Sequence, residues 1–142
     1  MRRRPGFTVV ELMIVVVIIG ILVAIAIPRF QQALQRAHEG AMRGNLGTLR
    51  SALKVYHADT EGGYPETLEY LAENAKYVNV IPSAQLREFH ADSTAVREGD
   101  GITTSNDRNG WLYIADTAST DFGSLYVNCT HTDLSATVWS TY

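Results

Sequence analysis

Few residues of this chain have the type and spacing that catalysis or metal binding requires. The histidines are scattered, with no pair at the spacing of metal ligands: His38, His57, His90 and His131. The single cysteine, Cys129, lies two positions from His131, but residues that close on a strand simply share a face. Serine and aspartate are plentiful in loops, yet no G-x-S-x-G nucleophile motif occurs. The sequence therefore does not predict an enzyme.

Oxygen ligands are concentrated in one turn-rich segment, EGDGITTSNDRNG, from Glu98 to Gly110. Asp100 and Asp107 offer carboxylates there, which are ligands that calcium prefers. The spacing differs from that of an EF-hand, and an acidic loop that is simply solvated remains the alternative. A structural calcium ion at Asp100 and Asp107 is the one metal hypothesis that the sequence raises, and no other cofactor is predicted.

Glu11 is the ionisable residue with the most unusual sequence context. It lies in a run of 21 residues, Phe7 to Ile27, in which only Thr8, Glu11 and Gly20 are not strongly apolar. A carboxylate costs about 2.5–3.5 kcal/mol at the centre of a membrane-spanning helix, and less near its end. Two interpretations stay open. Glu11 either reaches back to the lipid headgroups or acquires a cationic partner once the helix leaves the lipid.

The run itself has the length of a transmembrane helix, which needs roughly 20 apolar residues. It is too long for the apolar part of a secretory signal, and no small-residue cleavage site follows it. Arg2, Arg3 and Arg4 precede it, so the positive-inside rule keeps the N-terminus cytoplasmic. Pro5 and Gly6 break the chain before the helix and expose a bond that a peptidase can cut. The sequence predicts a single-pass precursor with an outward domain.

These features resemble the signature of the type IV pilin and pseudopilin family. That signature is a short basic leader ending in glycine, then the pattern G-F-T-x-x-E-L at the start of a long apolar helix. The matching positions are Gly6, Phe7, Thr8, Glu11 and Leu12, followed by Gly20 and Pro28 at the family's usual spacing. The resemblance is specific over residues 1 to about 58 and looser beyond.

The resemblance implies a processing and assembly route. A prepilin peptidase would cut between Gly6 and Phe7, and the new amino group of Phe7 would be N-methylated. Glu11 would pair with the Phe7 ammonium of a neighbouring subunit in a helical homopolymer, which makes a buried charge tolerable. The implied partners are the peptidase, the inner-membrane pilus or secretion assembly machinery, and the membrane before assembly. Gly20 and Pro28 are where such helices bend or lose order on packing into a filament.

Beyond Pro28, apolar residues recur at intervals of three or four as far as Tyr56, which predicts an amphipathic continuation of the helix. The helix should end near Ala58. A basic stripe follows from the spacing of seven between Arg29, Arg36, Arg43 and Arg50. The stripe is either a solvated face or a surface that meets acidic residues of adjacent subunits.

After the helix, the segment PETLEYLAENAKYV predicts a short helix with Leu68 and Leu71 on its apolar face. Aromatic and β-branched residues predict a hairpin of strands at 111–114 and 125–127, and a third strand from Ala136 to Trp139. The sheet should pack on the Leu46–Tyr56 half of the long helix.

The predicted fold class is α+β, with a long N-terminal helix packed on a small C-terminal antiparallel β-sheet. The helix has an apolar transmembrane half and an amphipathic half. The expected boundaries are a leader at residues 1–6, a transmembrane and filament-core helix at 7–28, the amphipathic half at 29–58 and a globular head at 59–142.

The charge balance argues against nucleic acid as a partner. The formal charge is −3, from 12 basic and 15 acidic residues, and removal of the three leader arginines would bring it near −6. With one cysteine, Cys129, the chain lacks the intramolecular C-terminal disulfide of many family members. A buried thiol is favoured over an intermolecular bond.

The sequence is therefore interpreted as the major structural subunit of a type IV pilus, first in the inner membrane and then in an extracellular filament. The alternative is the major pseudopilin of a type II secretion system, in a periplasmic pseudopilus. The absence of the D-P-W-G-type calcium-loop signature of major secretion pseudopilins favours the pilus. A minor pilin with a binding role is less favoured, because subunits used at filament tips often lack the glutamate that is present here as Glu11.

Overall fold

The longest element of the protein is one helix, α1, which comprises Val9–Asp59. We describe it from a computed structural model that covers residues 6–86 and 89–142. The helix ends one residue beyond the predicted position and is continuous through Gly20 and Pro28. Bending or melting at those two positions in a filament stays a prediction. Residues 1–5 of the predicted leader lie outside the described residues.

The chain forms two compact units, residues 1–35 and 36–142. In the first unit every described residue from Gly6 to Leu34 is exposed. This part of α1 contains an 18-residue window with a mean hydropathy of 3.2, none of it buried. Its length and composition suffice to cross a membrane. So large an apolar surface requires lipid or other apolar helices around it.

In the second unit, the C-terminal half of α1 forms one wall of the hydrophobic core. Its buried residues recur at helical spacing: Met42, Leu46, Leu49, Ala52 and Leu53. They cluster with Trp111, Tyr113, Leu125, Val127 and Trp139. The predicted packing of the sheet on this half of the helix is confirmed, and both tryptophans are core residues.

The sheet has three strands in the order β1 (Val96–Gly99), β2 (Trp111–Ile114) and β3 (Leu125–Val127). The predicted hairpin is confirmed, because β2 pairs antiparallel with β3 and Trp111 lies opposite Val127. The prediction of a wholly antiparallel sheet is wrong. Strand β1 pairs parallel with β2, with Val96 opposite Trp111, so the sheet is mixed.

The prediction of a strand from Ala136 to Trp139 is also wrong. That segment contributes an isolated bridge between Thr132 and Val138, followed by one 3₁₀ turn at Trp139–Thr141. Ala136 has a φ of 61°, a left-handed conformation that a strand cannot contain. The predicted short helix exists as 3₁₀ structure at Leu68–Ala75, with a kink at the non-helical Glu73 and Asn74, and Leu68 and Leu71 are buried as expected.

Asp133 organises this C-terminal segment. Its carboxylate accepts hydrogen bonds from the backbone N–H of Ser135 at 2.8 Å and of Thr137 at 2.9 Å. The hydroxyl of Tyr142 donates to it at 2.5 Å, and the guanidinium of Arg43 forms an ion pair with it. Burial raises the pKa of Asp133, but the hydrogen bonds from these partners outweigh it and hold the pKa below its usual value.

We expect acid to weaken the head through Asp133. Because its folded-state pKa is depressed, its stabilisation is complete above the ordinary aspartate pKa of about 3.9 and is lost as the pH falls below that value. Thermal unfolding of the chain in detergent, followed by near-UV circular dichroism between pH 6 and pH 2, tests this. Asp133→Asn should be less stable at pH 6 and show a flatter acid dependence. The exposed Asp121→Asn is the control, and parallel curves for all three proteins would contradict the assignment.

Candidate functional site at the start of the helix

The first turn of α1 is closed by a reciprocal pair of side chains, Thr8 and Glu11. The Thr8 N–H donates to Oε2 of Glu11 at 2.8 Å, and the Thr8 hydroxyl donates to the same oxygen at 2.7 Å. In return the N–H of Glu11 donates to Oγ1 of Thr8 at 3.2 Å. This is a capping box, in which two helix-end donors are satisfied by each other's side chains. Glu11 is therefore hydrogen-bonded within its own chain even without a cationic partner.

The sequence contains a local signal for this arrangement. Thr8-Val9-Val10-Glu11 has the T-x-x-E pattern directly before an apolar run, which marks a helix start. The cap explains why α1 begins at Val9. Gly6 and Phe7 precede it in non-helical, exposed conformation. The bond between them therefore lies in exposed chain before the helix, and its cleavage stays a prediction.

The basic stripe divides into two parts. Arg43 binds Asp133 and lies with its guanidinium carbon 4.9 Å from the centre of the Tyr142 ring. Arg50 donates to the carbonyl oxygen of Leu125 at 2.6 Å and also to that of Tyr142. These two arginines bind the C-terminal segment of the same chain, and an additional contact with an adjacent subunit stays a prediction for them. Arg29 and Arg36 are exposed, and for them the intersubunit contact also stays a prediction.

Of the two candidate calcium ligands, Asp107 belongs to a cluster of ligand atoms that does not include Asp100. Asp100 is exposed in the bend after β1. Asp107 has a φ of 57° and accepts the N–H of Thr130 at 2.8 Å. Its carboxylate lies beside His90, Cys129 and His131 instead. Calcium binding at Asp100 and Asp107 stays a prediction.

Cys129 is fully buried, in agreement with the predicted apolar thiol. Burial raises the pKa of Cys129 to about 11, which exceeds the opposing effect of the hydrogen bond from the His131 N–H. Without a metal the group is therefore a thiol at neutral pH. A thiol of this kind is a poor nucleophile, because the thiolate is the reactive form.

Comparison with protein families supports the interpretation of the N-terminal segment as a methylation motif. Residues 1–27 match the family model described as the prokaryotic N-terminal methylation motif. No solved structure is significantly similar to the chain.

Curated relatives extend the similarity beyond that motif. The chain is 35% identical over 98 residues to a type IV major fimbrial protein FimA of Dichelobacter nodosus, covering 69% of this chain and 58% of that protein. It is 43% identical over 60 residues to the type IV narrow pilus major component PilA5 of Thermus thermophilus, covering 42% and 52%. The type II secretion system core protein G of Pseudomonas aeruginosa is 36% identical over 70 residues, covering 49% of each chain. The chain thus spans about half the length of these relatives.

Proposed function

Because this chain belongs to the family of type IV pilins and type II secretion pseudopilins, we propose that it is the major structural subunit of a type IV pilus. One observation carries the proposal. An apolar helical surface, exposed from Val9 to Leu34, begins with a glutamate that takes part in the capping box of its first turn. A surface of that kind suits a helix that exchanges lipid for identical helices.

Assembly by this route leaves little hydrophobic driving force, because lipid tails are as apolar as the helix surface. Close packing of helices and specific polar contacts must supply the difference. Both hydrogen bonds from Thr8 end on Oε2 of Glu11. We infer that Oε1 receives the N-methylated Phe7 ammonium of the next subunit. The pair of charges then sets the register between neighbouring helices.

We propose that the chain passes through three stages before it is part of a filament. A prepilin peptidase cuts between Gly6 and Phe7, the mature subunit waits in the inner membrane, and an inner-membrane machinery adds it to a growing filament outside the cell. The exposed non-helical conformation of Gly6 and Phe7 supports the cleavage step. The membrane stage is supported by the mean hydropathy of 3.2 in the exposed helix.

The second candidate is the major pseudopilin of a type II secretion system. The similarity to core protein G of Pseudomonas aeruginosa favours it, over 49% of each chain. Relatives named as major type IV pilus proteins match at comparable or greater identity, among them FimA and PilA5. The pilus is therefore the first candidate and the pseudopilus the second.

We expect filaments sheared from the cell surface to consist of this chain. Electron microscopy should show fibres micrometres long, and mass spectrometry of their main protein should find an N-terminus at a methylated Phe7. A strain lacking the chain is the control. Processed chain that stays in the envelope, with surface fibres that lack it, would contradict the pilus and favour the secretion pseudopilus.

A further inference from the structure

Four side chains of the head converge on one point without any role in the function proposed above. They are His90, Asp107, Cys129 and His131, and one ligand atom from each lies within 4.8 Å of the other three. They come from three separate parts of the head: the segment before β1, the turn before β2 and the segment after β3. None belongs to the helix that would form a filament core.

Three of the six distances between the ligand atoms are close to those of a tetrahedral metal site, and the other three are at most 4.8 Å. Oδ1 of Asp107 lies 3.3 Å from Nε2 of His90 and 3.3 Å from Nδ1 of His131. Sγ of Cys129 lies 3.4 Å from Nδ1 of His131. With Zn–N and Zn–O bonds of about 2.0–2.1 Å and a Zn–S bond of about 2.3 Å, tetrahedral ligand atoms are roughly 3.3–3.6 Å apart.

One buried nitrogen atom of this cluster lacks a hydrogen-bond partner among the described residues. Nε2 of His90 is buried and makes no hydrogen bond among the described residues, although Oδ1 of Asp107 lies 3.3 Å away. A buried ring nitrogen without a hydrogen bond is unfavourable, because it has lost its contact with water. A metal ion bound between these groups would give that nitrogen a partner.

The supporting contacts fix the ligands in place. The ring of His131 stacks on Phe89, with centroids 4.2 Å apart and planes 12° apart. The Thr130 N–H holds Asp107, and the amide of Asn128 exchanges hydrogen bonds with Asn106, at the turn that carries Asp107. Contacts of this kind around a metal site orient its ligands and change its affinity for the metal.

The ligand types select the metal. Two imidazoles, one thiolate and one carboxylate form a mixed N, S and O set, which suits zinc and not calcium or magnesium. We propose that His90, Asp107, Cys129 and His131 bind one Zn²⁺ ion as a closed structural site in the head. On binding, the Cys129 thiol releases its proton to solvent and the thiolate coordinates the metal. The ion would join the segment before β1 to the segment after β3.

The test uses the full chain in detergent, without a histidine tag, after removal of metals by a chelator. One equivalent of Zn²⁺ should remain bound through gel filtration, measured by elemental analysis, and should raise the thermal unfolding midpoint reversibly with chelator. Co²⁺ in place of Zn²⁺ should give the visible bands of a tetrahedral ion and a thiolate charge-transfer band. The cobalt spectrum reads out the ligands of the unmutated protein, so it does not depend on a variant that folds.

Matched variants assign the ligands. Cys129→Ser and His90→Gln should each weaken zinc binding by more than about 100-fold, since even outer-shell changes cost 10–100-fold. His38→Gln, a histidine outside the cluster, should bind as the original chain does. No stoichiometric zinc, a cobalt spectrum without thiolate character, or undiminished binding by Cys129→Ser would overturn the proposal. In that event His90, Asp107, Cys129 and His131 would be a cluster of polar side chains that binds no metal.

Discussion

Glu11→Gln should be processed normally but should almost abolish filaments. Glutamine keeps the shape of the side chain and can still close a capping box, so the change removes the charge and spares the helix start. Removing one partner of a buried ion pair costs about 3–5 kcal/mol, and each 1.4 kcal/mol is a factor of ten. Surface filaments, measured by shearing and immunoblotting, should therefore fall by at least about 100-fold, while mass spectrometry finds the mature chain in the membrane.

Thr8→Val is the matched control for this experiment. Valine has nearly the same volume but lacks the hydroxyl that exchanges hydrogen bonds with Glu11. The cap is worth about 1 kcal/mol of helix stability, yet the carboxylate remains. Filaments should persist in Thr8→Val. Equal loss in both variants would assign Glu11 to the helix cap, and abundant filaments from Glu11→Gln would remove its role in subunit registration.

Gly110→Ala should strongly destabilise the head. Gly110 has a φ of +92°, and an added Cβ would lie 2.2 Å from the carbonyl oxygen of Ala95. That oxygen accepts the Trp111 N–H at 2.8 Å, where the parallel β1–β2 pair begins. Backbone strain of this kind costs about 1–3 kcal/mol, and the displaced hydrogen bond about 1 kcal/mol more. The unfolding midpoint should fall by roughly 10 °C or more for a domain of this size.

Gly101→Ala is the control for Gly110→Ala. Gly101 is extended, with a φ of −177°, and the nearest atom to its added Cβ is 4.0 Å away. Its midpoint should change little, because surface changes of this kind stay within about 0.5 kcal/mol. Near-UV circular dichroism reports the surroundings of the buried Trp111 in both proteins. Similar losses in the two variants would show that neither the conformation nor the contact at Gly110 matters.

Much of the fold follows from local patterns. The apolar positions of α1 recur at helical spacing, so the sequence predicts each end of this helix to within two residues. Strands β2 and β3 are aromatic or aliphatic runs between turn residues, and the sequence predicts both at their observed bounds. Strand β1 was missed because Val96-Arg97-Glu98-Gly99 contains one large apolar residue and becomes a strand through pairing with β2. The segment after Asp133 was mistaken for a strand, since its sequence does not reveal that one carboxylate captures the N–H groups of Ser135 and Thr137.

The cluster of His90, Asp107, Cys129 and His131 is harder to predict from the sequence than the helix and the strands are. His90 and His131 are 41 positions apart, and nothing in their local sequence indicates a contact. The mixed sheet brings them together, because the parallel pairing of β1 with β2 carries the segment before β1 to the segment after β3. A prediction that lacked β1 could not place His90. The capping box differs, since its T-x-x-E signal is local and was available from the sequence.

The contacts of Arg43 and Arg50 also bear on how the chain folds during export. A chain that crosses a membrane behind its N-terminal helix delivers the apolar positions Leu46, Leu49 and Leu53 before the strands that cover them. The partners of Arg50 are Leu125 and Tyr142, 75 and 92 positions later. On the export route proposed above, the core could therefore close only after the C-terminal residues had crossed the membrane. Until then the apolar positions of the emerging segment would stay uncovered, and the rate of delivery would set how long that exposure lasts.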